Sequence, residues 1–439
     1  MKTRFILLAA LIFSAVAQAG AVGLAEAGAQ FTEMFTPYAS EHEGTTSFRS
    51  LVIPSGGRSE SMGGACVATG DDSSFFDYNP AASAVLEQTE AAVFHNAWIA
   101  DSALETVAAS IRGDRLGAGA QLRCFYVPFT EYDSYGERVA GSYYSETALT
   151  LNAAYNFFSS YRFKGVAVGV NVRAAWRSVP DYADSTGTVI SGSGLAQSAL
   201  ALMADVGVLV RYNAVKFHDS REPNIKMGLA LMNAGAALTG FGRGVHQDDP
   251  LPTRVSAGIS YRPIAPLTIA VEFRQPLNLQ VPSEREQWSA CTGFELTVTR
   301  NFNFLGGFLL QSGAPRISMG GGLIVRGVAV HVNYTFDVTS SFNPVNHISL
   351  SATLRLGDRG RAKRQHTVDE HYLRGLSLYA QGTRDSIECA IEEWDAVLRL
   401  DPRFSPAAEA RKAAMELLAA HDSITSISRL RTKDSDPEE

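Results

Sequence analysis

The sequence predicts an all-β transmembrane barrel of about fourteen antiparallel strands, followed by a small α-helical segment. Three observations carry this. From about residue 91 to residue 356 apolar and polar residues alternate at period two, in segments near the roughly ten residues a barrel strand needs. The connections between these segments alternate between short and long. Outside the first nineteen residues no run is long and apolar enough for a spanning helix, while 19% charged residues, 38 glycines and 10% aromatics suit a barrel.

Residues 1–19 read as a signal for Sec export. Lys2 and Arg4 form the basic start, Phe5 to Val16 the apolar core, and Ala17-Gln18-Ala19 the small-residue cleavage site. An exported chain of this kind is either a soluble β-protein or an inserted barrel, since only helices and closed barrels satisfy their backbone groups in lipid. Alternating loop lengths favour the barrel.

Residues 20–90 carry few strand signals. Within them "MGGACVATGDDSSFFDYNPAASAVLEQTE" joins a glycine-rich loop, the acidic pair Asp71-Asp72 and a short helix in which Asn79 and Pro80 suit the N-cap and first positions. The strand segments then fall near 91–99, 103–111, 115–127, 144–157, 164–177, 198–211, 225–233, 253–262, 266–275, 289–299, 302–311, 316–325, 327–337 and 346–356. In "VAVGVNVRAAW" Val166, Val168, Val170 and Val172 oppose Gly169, Asn171 and Arg173, so one face wants hydrocarbon. Connections at 113–115, 159–162, 262–266, 300–301 and 326–327 are short, and those at 128–143, 178–197, 235–251, 276–287 and 338–345 are long. Three depart from the phase: those around Asp101 and Gly313 are short, and 213–224 is long.

On the polar faces Arg173, Arg177, Asp205, Arg254, Glu272, Arg274, Glu295 and His331 are candidates to line the lumen. An arginine fork suits a ligand carboxylate; pairing among these groups and with the N-terminal segment is the competing use. Cysteines 66, 124, 291 and 389 have no metal-site spacing and read as free thiols or as one or two disulfides. There is no Gly-x-Ser-x-Gly elbow or His-Glu-x-x-His helix, and Asp71-Asp72 lacks an evident base or metal partner, so neither catalysis nor a cofactor or metal is expected. A net charge of −7 without an aromatic-studded basic face argues against nucleic acid.

Past Leu356 a basic linker, 357–365, precedes helical patterns at about 368–381, 385–400 and 406–420, and 422–439 reads as a disordered tail. The order Gly375, Tyr379, Ala390, Trp394, Pro402 within 366–421 resembles a tetratricopeptide repeat, with about three extra residues between the glycine and the first alanine.

The run "GGRSESMGGACVATGDDSSFFDYNPAASAVL" resembles the N-terminal region of the FadL/TodX family of outer-membrane transporters for fatty acids and aromatic hydrocarbons. It is more similar still to a spirochaete family of FadL-like proteins of the UPF0164 type, a likeness extended by "LVIPSGGRSESMGG" and "FHNAWIADS". Asn79, Pro80 and Ala81 match the family's Asn-Pro-Ala. The resemblance implies that residues 20–90 fold inward as a hatch; Asp71, Asp72, Asn79, Pro80 and Ala81 are its candidate ligand or hatch residues, of which the resemblance itself places Asn79, Pro80 and Ala81. It implies an outer-membrane barrel with periplasmic termini that passively imports hydrophobic molecules such as long-chain fatty acids. It also points to the third strand, where Gly117, Gly119 and Pro128 weaken the ladder, as the place for a side opening. The alternatives are a scaffold for surface proteins or secretion machinery and a surface adhesin. A periplasmic protein is the partner expected of 366–421.

Overall fold

The computed structural model describes residues 41–433 apart from residues 100, 133–134, 162, 183–187, 219–221, 312 and 338–345. The expected signal, residues 20–40 of the expected hatch and residues 434–439 of the expected tail lie outside the described residues. The chain divides into two compact units, one comprising residues up to 156 with 167–356, the other 157–166 with the residues from 357 onward.

The first unit is a closed antiparallel barrel of fourteen strands, as the sequence pattern requires. They are β1 (Glu90–Ala97), β2 (Ala103–Arg112), β3 (Leu116–Tyr132), β4 (Arg138–Phe157), β5 (Val166–Ser178), β6 (Ala199–Tyr212) and β7 (Ile225–Thr239). There follow β8 (Thr253–Ile264), β9 (Leu267–Leu277), β10 (Ser289–Thr297), β11 (Phe302–Gln311), β12 (Ala314–Val325), β13 (Val328–Asp337) and β14 (His347–Arg355). Each strand pairs with its sequence neighbours, and β1 pairs with β14 from Glu90↔Arg355 to Ala97↔Ile348, which closes the wall. A two-residue strand, His246–Gln247, extends the end of β7.

Period-two sequence becomes a two-faced wall. In β5 Val170 and Val172 are exposed while Ala167, Asn171, Arg173 and Ala175 are buried. Val107, Leu122, Leu229, Val332, Ile348 and Leu354 repeat this around the barrel. So large an apolar surface on a folded chain belongs against lipid, since soluble monomers rarely expose contiguous patches beyond a few hundred Å². None of the described helices is long and apolar enough to cross a membrane.

One barrel end carries tight connections such as 113–115, 265–266, 298–301 and 326–327, the other long ones such as 179–198, 240–252 and 278–288. The exceptions at 98–102, 213–224 and 312–313 are those visible in the sequence. Between β3 and β4 the expected long loop at 128–143 is mostly strand, because Tyr126–Glu131 pair with Ala140–Ser145. β3 pairs with β2 without a bulge from Ala103↔Tyr126 to Arg112↔Gly117, and with β4 from Leu116↔Tyr155 to Glu131↔Ala140. The side opening expected at this strand is therefore absent from its described ladders; Gly117 serves another purpose, described below.

The second unit contains α1 (Arg361–Tyr379), α2 (Arg384–Leu400) and α3 (Ser405–Lys433). Thr383 starts α2 with a capping box to Ser386. Buried Trp394, Ile387, Val397, Phe404 and Val368 form its core. Gly375 lets α1 close on α2: a Cβ there would lie 2.4 Å from the Trp394 indole nitrogen. Tyr161, from the turn within this unit, packs edge-on to Phe404 at 4.8 Å between centroids. Two expectations need correction. The basic linker is helical from Arg361, because the Asp358 carboxylate accepts the backbone N–H groups of Gly360 (3.0 Å) and Ala362 (2.6 Å). The expected tail is helical to Lys433, since no glycine or proline interrupts 407–433.

Candidate functional site

Residues 55–86 thread the lumen as a chain of single turns, and the wall is shaped to receive them. Gly169, Gly207, Gly228, Gly293 and Gly307 sit on five strands at lumen-facing positions. A Cβ at each would come within 2.3 Å of Pro80, Asn79, Val67, Met62 and Gly63 respectively. Gly117, which the sequence associates with a weakened ladder, faces Ser83, where a Cβ would lie 2.1 Å from the carbonyl carbon. These strand glycines let the hatch backbone lie directly on the wall backbone.

Polar groups then pin it. Asn79 caps the turn Pro80–Ala84 as the sequence indicates: its Oδ1 accepts from Ala81 N at 3.1 Å. Its Nδ2 donates to Val67 O at 2.7 Å and to Val208 O in β6 at 3.1 Å, so one buried amide ties two hatch segments to the wall. Ala81 is fully buried against Ala154, Ala167 and Leu209. Asp71 and Asp72 separate. Asp72 caps the turn Ser73–Asp77 by accepting from Ser74 N at 2.9 Å, whereas Asp71 pairs with Lys226 and with Arg58 at 3.3 Å.

The expected lumen residues largely hold the hatch. Arg173, 1% exposed, donates to Phe76 O at 3.1 Å and pairs with Asp205 at 3.2 Å. Glu272 accepts the backbone N–H groups of Cys66 at 2.7 Å and Val67 at 2.8 Å, and is itself held by Arg274 Nε at 2.6 Å. Arg254 donates to Asp77 O at 2.6 Å, and Glu295 accepts from Arg58 Nε at 3.0 Å. Arg177 stands apart from the hatch core, pairing with Asp248 at 2.9 Å beneath the Phe48 ring. His331 is buried in the wall of a charged cavity, and its Nδ1 has no hydrogen-bond partner among the described residues. All four cysteines are free.

Sequence reading missed the centre of the network. Asp77 accepts from Ser55 N (3.1 Å) and Oγ (2.6 Å), Gln121 (3.2 Å) and Arg123 Nη1 (2.7 Å). Burial pushes the Asp77 carboxyl up, but Arg123, Ser55 and Arg173 outweigh it and hold the group below the ordinary carboxylate range. Arg123 also donates to Ser50 O at 3.1 Å and Ile53 O at 2.6 Å. The available signal was an arginine at a lumen-facing position of β3 with an aspartate just ahead of Asn-Pro-Ala. Three further contacts cross the β1–β14 seam: Asn96 donates to Pro54 O at 3.0 Å, Gly57 N to Ser349 Oγ at 3.0 Å, and His347 meets Glu60.

The hatch leaves a cavity on each side. Toward the long loops lies one of about 210 Å³. Its lining mixes Leu51, Ile53, Pro54, Tyr78, Trp98 and Leu309 with Arg254, Arg274, Arg316, Glu43, Glu60 and Asp77: Leu309 is the cross-strand partner of Arg316, and the Arg274 guanidinium lies 5.6 Å from the Tyr78 ring centroid. Arg254 is 8% exposed, and its Nε has no hydrogen-bond partner among the described residues. Toward the tight turns a cavity of about 220 Å³ is lined mainly by charges, among them Arg58, Asp71, Glu90, Lys226, Glu295 and Arg355.

A family model described as "Uncharacterised protein family (UPF0164)" matches residues 20–359. The chain belongs to UPF0164. One UPF0164 protein of Treponema pallidum (strain Nichols) is 30% identical over 394 residues, covering 88% of this chain and 86% of the relative. Another from the same organism is 26% identical over 401 residues, covering 86% and 77%. Among solved structures the fold is similar to CymD, a monoaromatic hydrocarbon channel, at 15% identity and TM-score 0.46 over 70% of this chain and 98% of that one. It is likewise similar to TodX, the toluene transporter of P. putida, at 13% and 0.44 over 68% and 96%. The UPF0164 match spans the hatch and the whole barrel.

Proposed function

We propose that this UPF0164 protein is an outer-membrane barrel for passive uptake of hydrophobic molecules, and that its ligands are long-chain fatty acids. The long-loop cavity carries the reading. Its lining interleaves apolar side chains with a group of arginines, and one buried guanidinium keeps a free donor, a combination that suits a chain ending in a carboxylate. The hatch then separates that cavity from the charged one toward the tight turns, which this reading places in the periplasm, and a ligand passes only when the hatch shifts. Asp71, Asn79, Pro80 and Ala81 act in this scheme as holding residues of the hatch.

The test is to purify the barrel, confirm folding by heat-dependent gel mobility, and identify retained lipids by mass spectrometry. Stoichiometric fatty acid in the native protein, reduced at least tenfold in Arg254→Met, is expected. An empty barrel after incubation with labelled fatty acid would overturn the substrate.

A second reading has its own observation. The hatch is held by so many buried hydrogen bonds that an idle lumen is physically reasonable, and the barrel then serves as a scaffold, with α1–α3 as the docking unit for a periplasmic protein. Pull-downs that lose a partner on deletion of 366–421, while lipid retention is unchanged, favour this reading.

A further inference from the structure

The membrane-facing wall is not uniformly convex. Across β9–β12 it carries an apolar groove of about 580 Å³, walled by Phe294, Phe304, Phe308 and Met319 and floored by Gly306 and Gly307. The cross-strand pairing explains it. Phe294 lies opposite Gly306, and Gly306 opposite Met319, so the one outward position between these side chains carries no side chain. A Cβ at Gly306 would lie 2.6 Å from the Phe294 ring. On the lumen side Gly293 and Gly307 are filled by the Met62–Gly63 backbone, with Cβ positions 2.3 and 2.0 Å from hatch atoms. The floor is thus backed by hatch and does not open inward there.

We propose that this groove holds one acyl chain of a phospholipid from the leaflet at the tight-turn end of the barrel. Three observations choose that occupant. The groove is continuous with the apolar belt that meets lipid, and no charged residue lines it. It lies in the tight-turn half of the wall: it begins at Leu267, the first residue of β9, and ends at Ile317, eight residues from the tight-turn end of β12 at Val325. With about 3.4 Å rise per residue and a tilt near 40°, eight residues climb about 20 Å, which spans the roughly 15 Å of the near leaflet's hydrocarbon and ends past the bilayer midplane. Its walls are aromatic rings and a thioether, which adapt to a flexible chain.

The experiment is native mass spectrometry of the full chain moved from phosphatidylethanolamine and phosphatidylglycerol vesicles into mild detergent. One retained phospholipid is expected for the native protein. Gly306→Leu, whose side chain pushes the Phe294 ring into the groove, and Phe304→Ala with Phe308→Ala, which removes its walls, should each reduce retention at least tenfold. Leu122→Phe, at an outward position on β3, should retain the lipid. Heat-dependent gel mobility shows which variants fold, and the two groove variants act by opposite geometry, so failure of one leaves the other decisive. Equal retention in Gly306→Leu, retention of free fatty acid in place of phospholipid, or a dimer that Gly306→Leu dissolves would each overturn the proposal. Because it concerns the outer wall, its outcome is independent of lumen uptake.

Discussion

Asp77 joins more of the lumen than any residue that the motif singled out. Its carboxylate collects two contacts from Ser55 and one each from Gln121 and Arg123. Removing one partner of a buried pair leaves the other charged and unpaired, at a cost of about 3–5 kcal/mol. Asp77→Asn should therefore loosen residues 50–86 without unfolding the wall, seen as at least a hundredfold faster amide hydrogen exchange in that segment alone. The pH dependence has the sign of a lowered carboxylate pKa. The stabilisation is present above the carboxyl's unfolded value and is lost as pH falls through its folded one, so hatch protection should decline under acid before the strands exchange. Gly207→Ala is a sharper probe, because the new methyl lies 2.1 Å from Asn79 Oδ1. It should break the cap of Pro80–Ala84 and release the Asn79 amide from Val208 O, with hatch protease sensitivity as the readout.

Among elements, strands were the most legible in sequence, because a wall between lipid and a polar lumen imposes period two on every segment. β5 and β13 show it almost without exception. Strand ends were less legible: past the membrane the apolar face has no lipid to meet, and the β3–β4 hairpin continues on backbone pairing alone. Asn79 and Pro80 announced their turn because a cap is a local event. The lumen contacts did not announce themselves, since Cys66 and Glu272 are 206 residues apart and a strand glycine leaves no period to read. The helical segment was legible through Gly375 and Trp394, and its ends were not, because Asp358 caps α1 from outside the apolar pattern. Trp394→Ala should cost the helical unit about 3–5 kcal/mol through lost burial and a cavity. Circular dichroism should then show helical signal melting at lower temperature while the strand signal keeps its transition.

For the whole molecule, the hatch divides one lumen into two cavities of about 210 and 220 Å³. Deleting residues 55–86 should join them, and in planar bilayers the shortened chain should conduct ions steadily where the native protein conducts little. Equal conductance in the two would mean that the lumen is already continuous. The seam adds a constraint of assembly. β1 and β14 are the first and last strands made, so their pairing has the greatest loop to close. Pro54, Gly57 and Glu60 reach both sides of that joint. The segment translated first can lock only when the strand translated last arrives, and in locking it fastens the joint. Cylinder closure and plugging thereby become one event, and a barrel caught halfway is left with neither a sealed edge nor a seated plug.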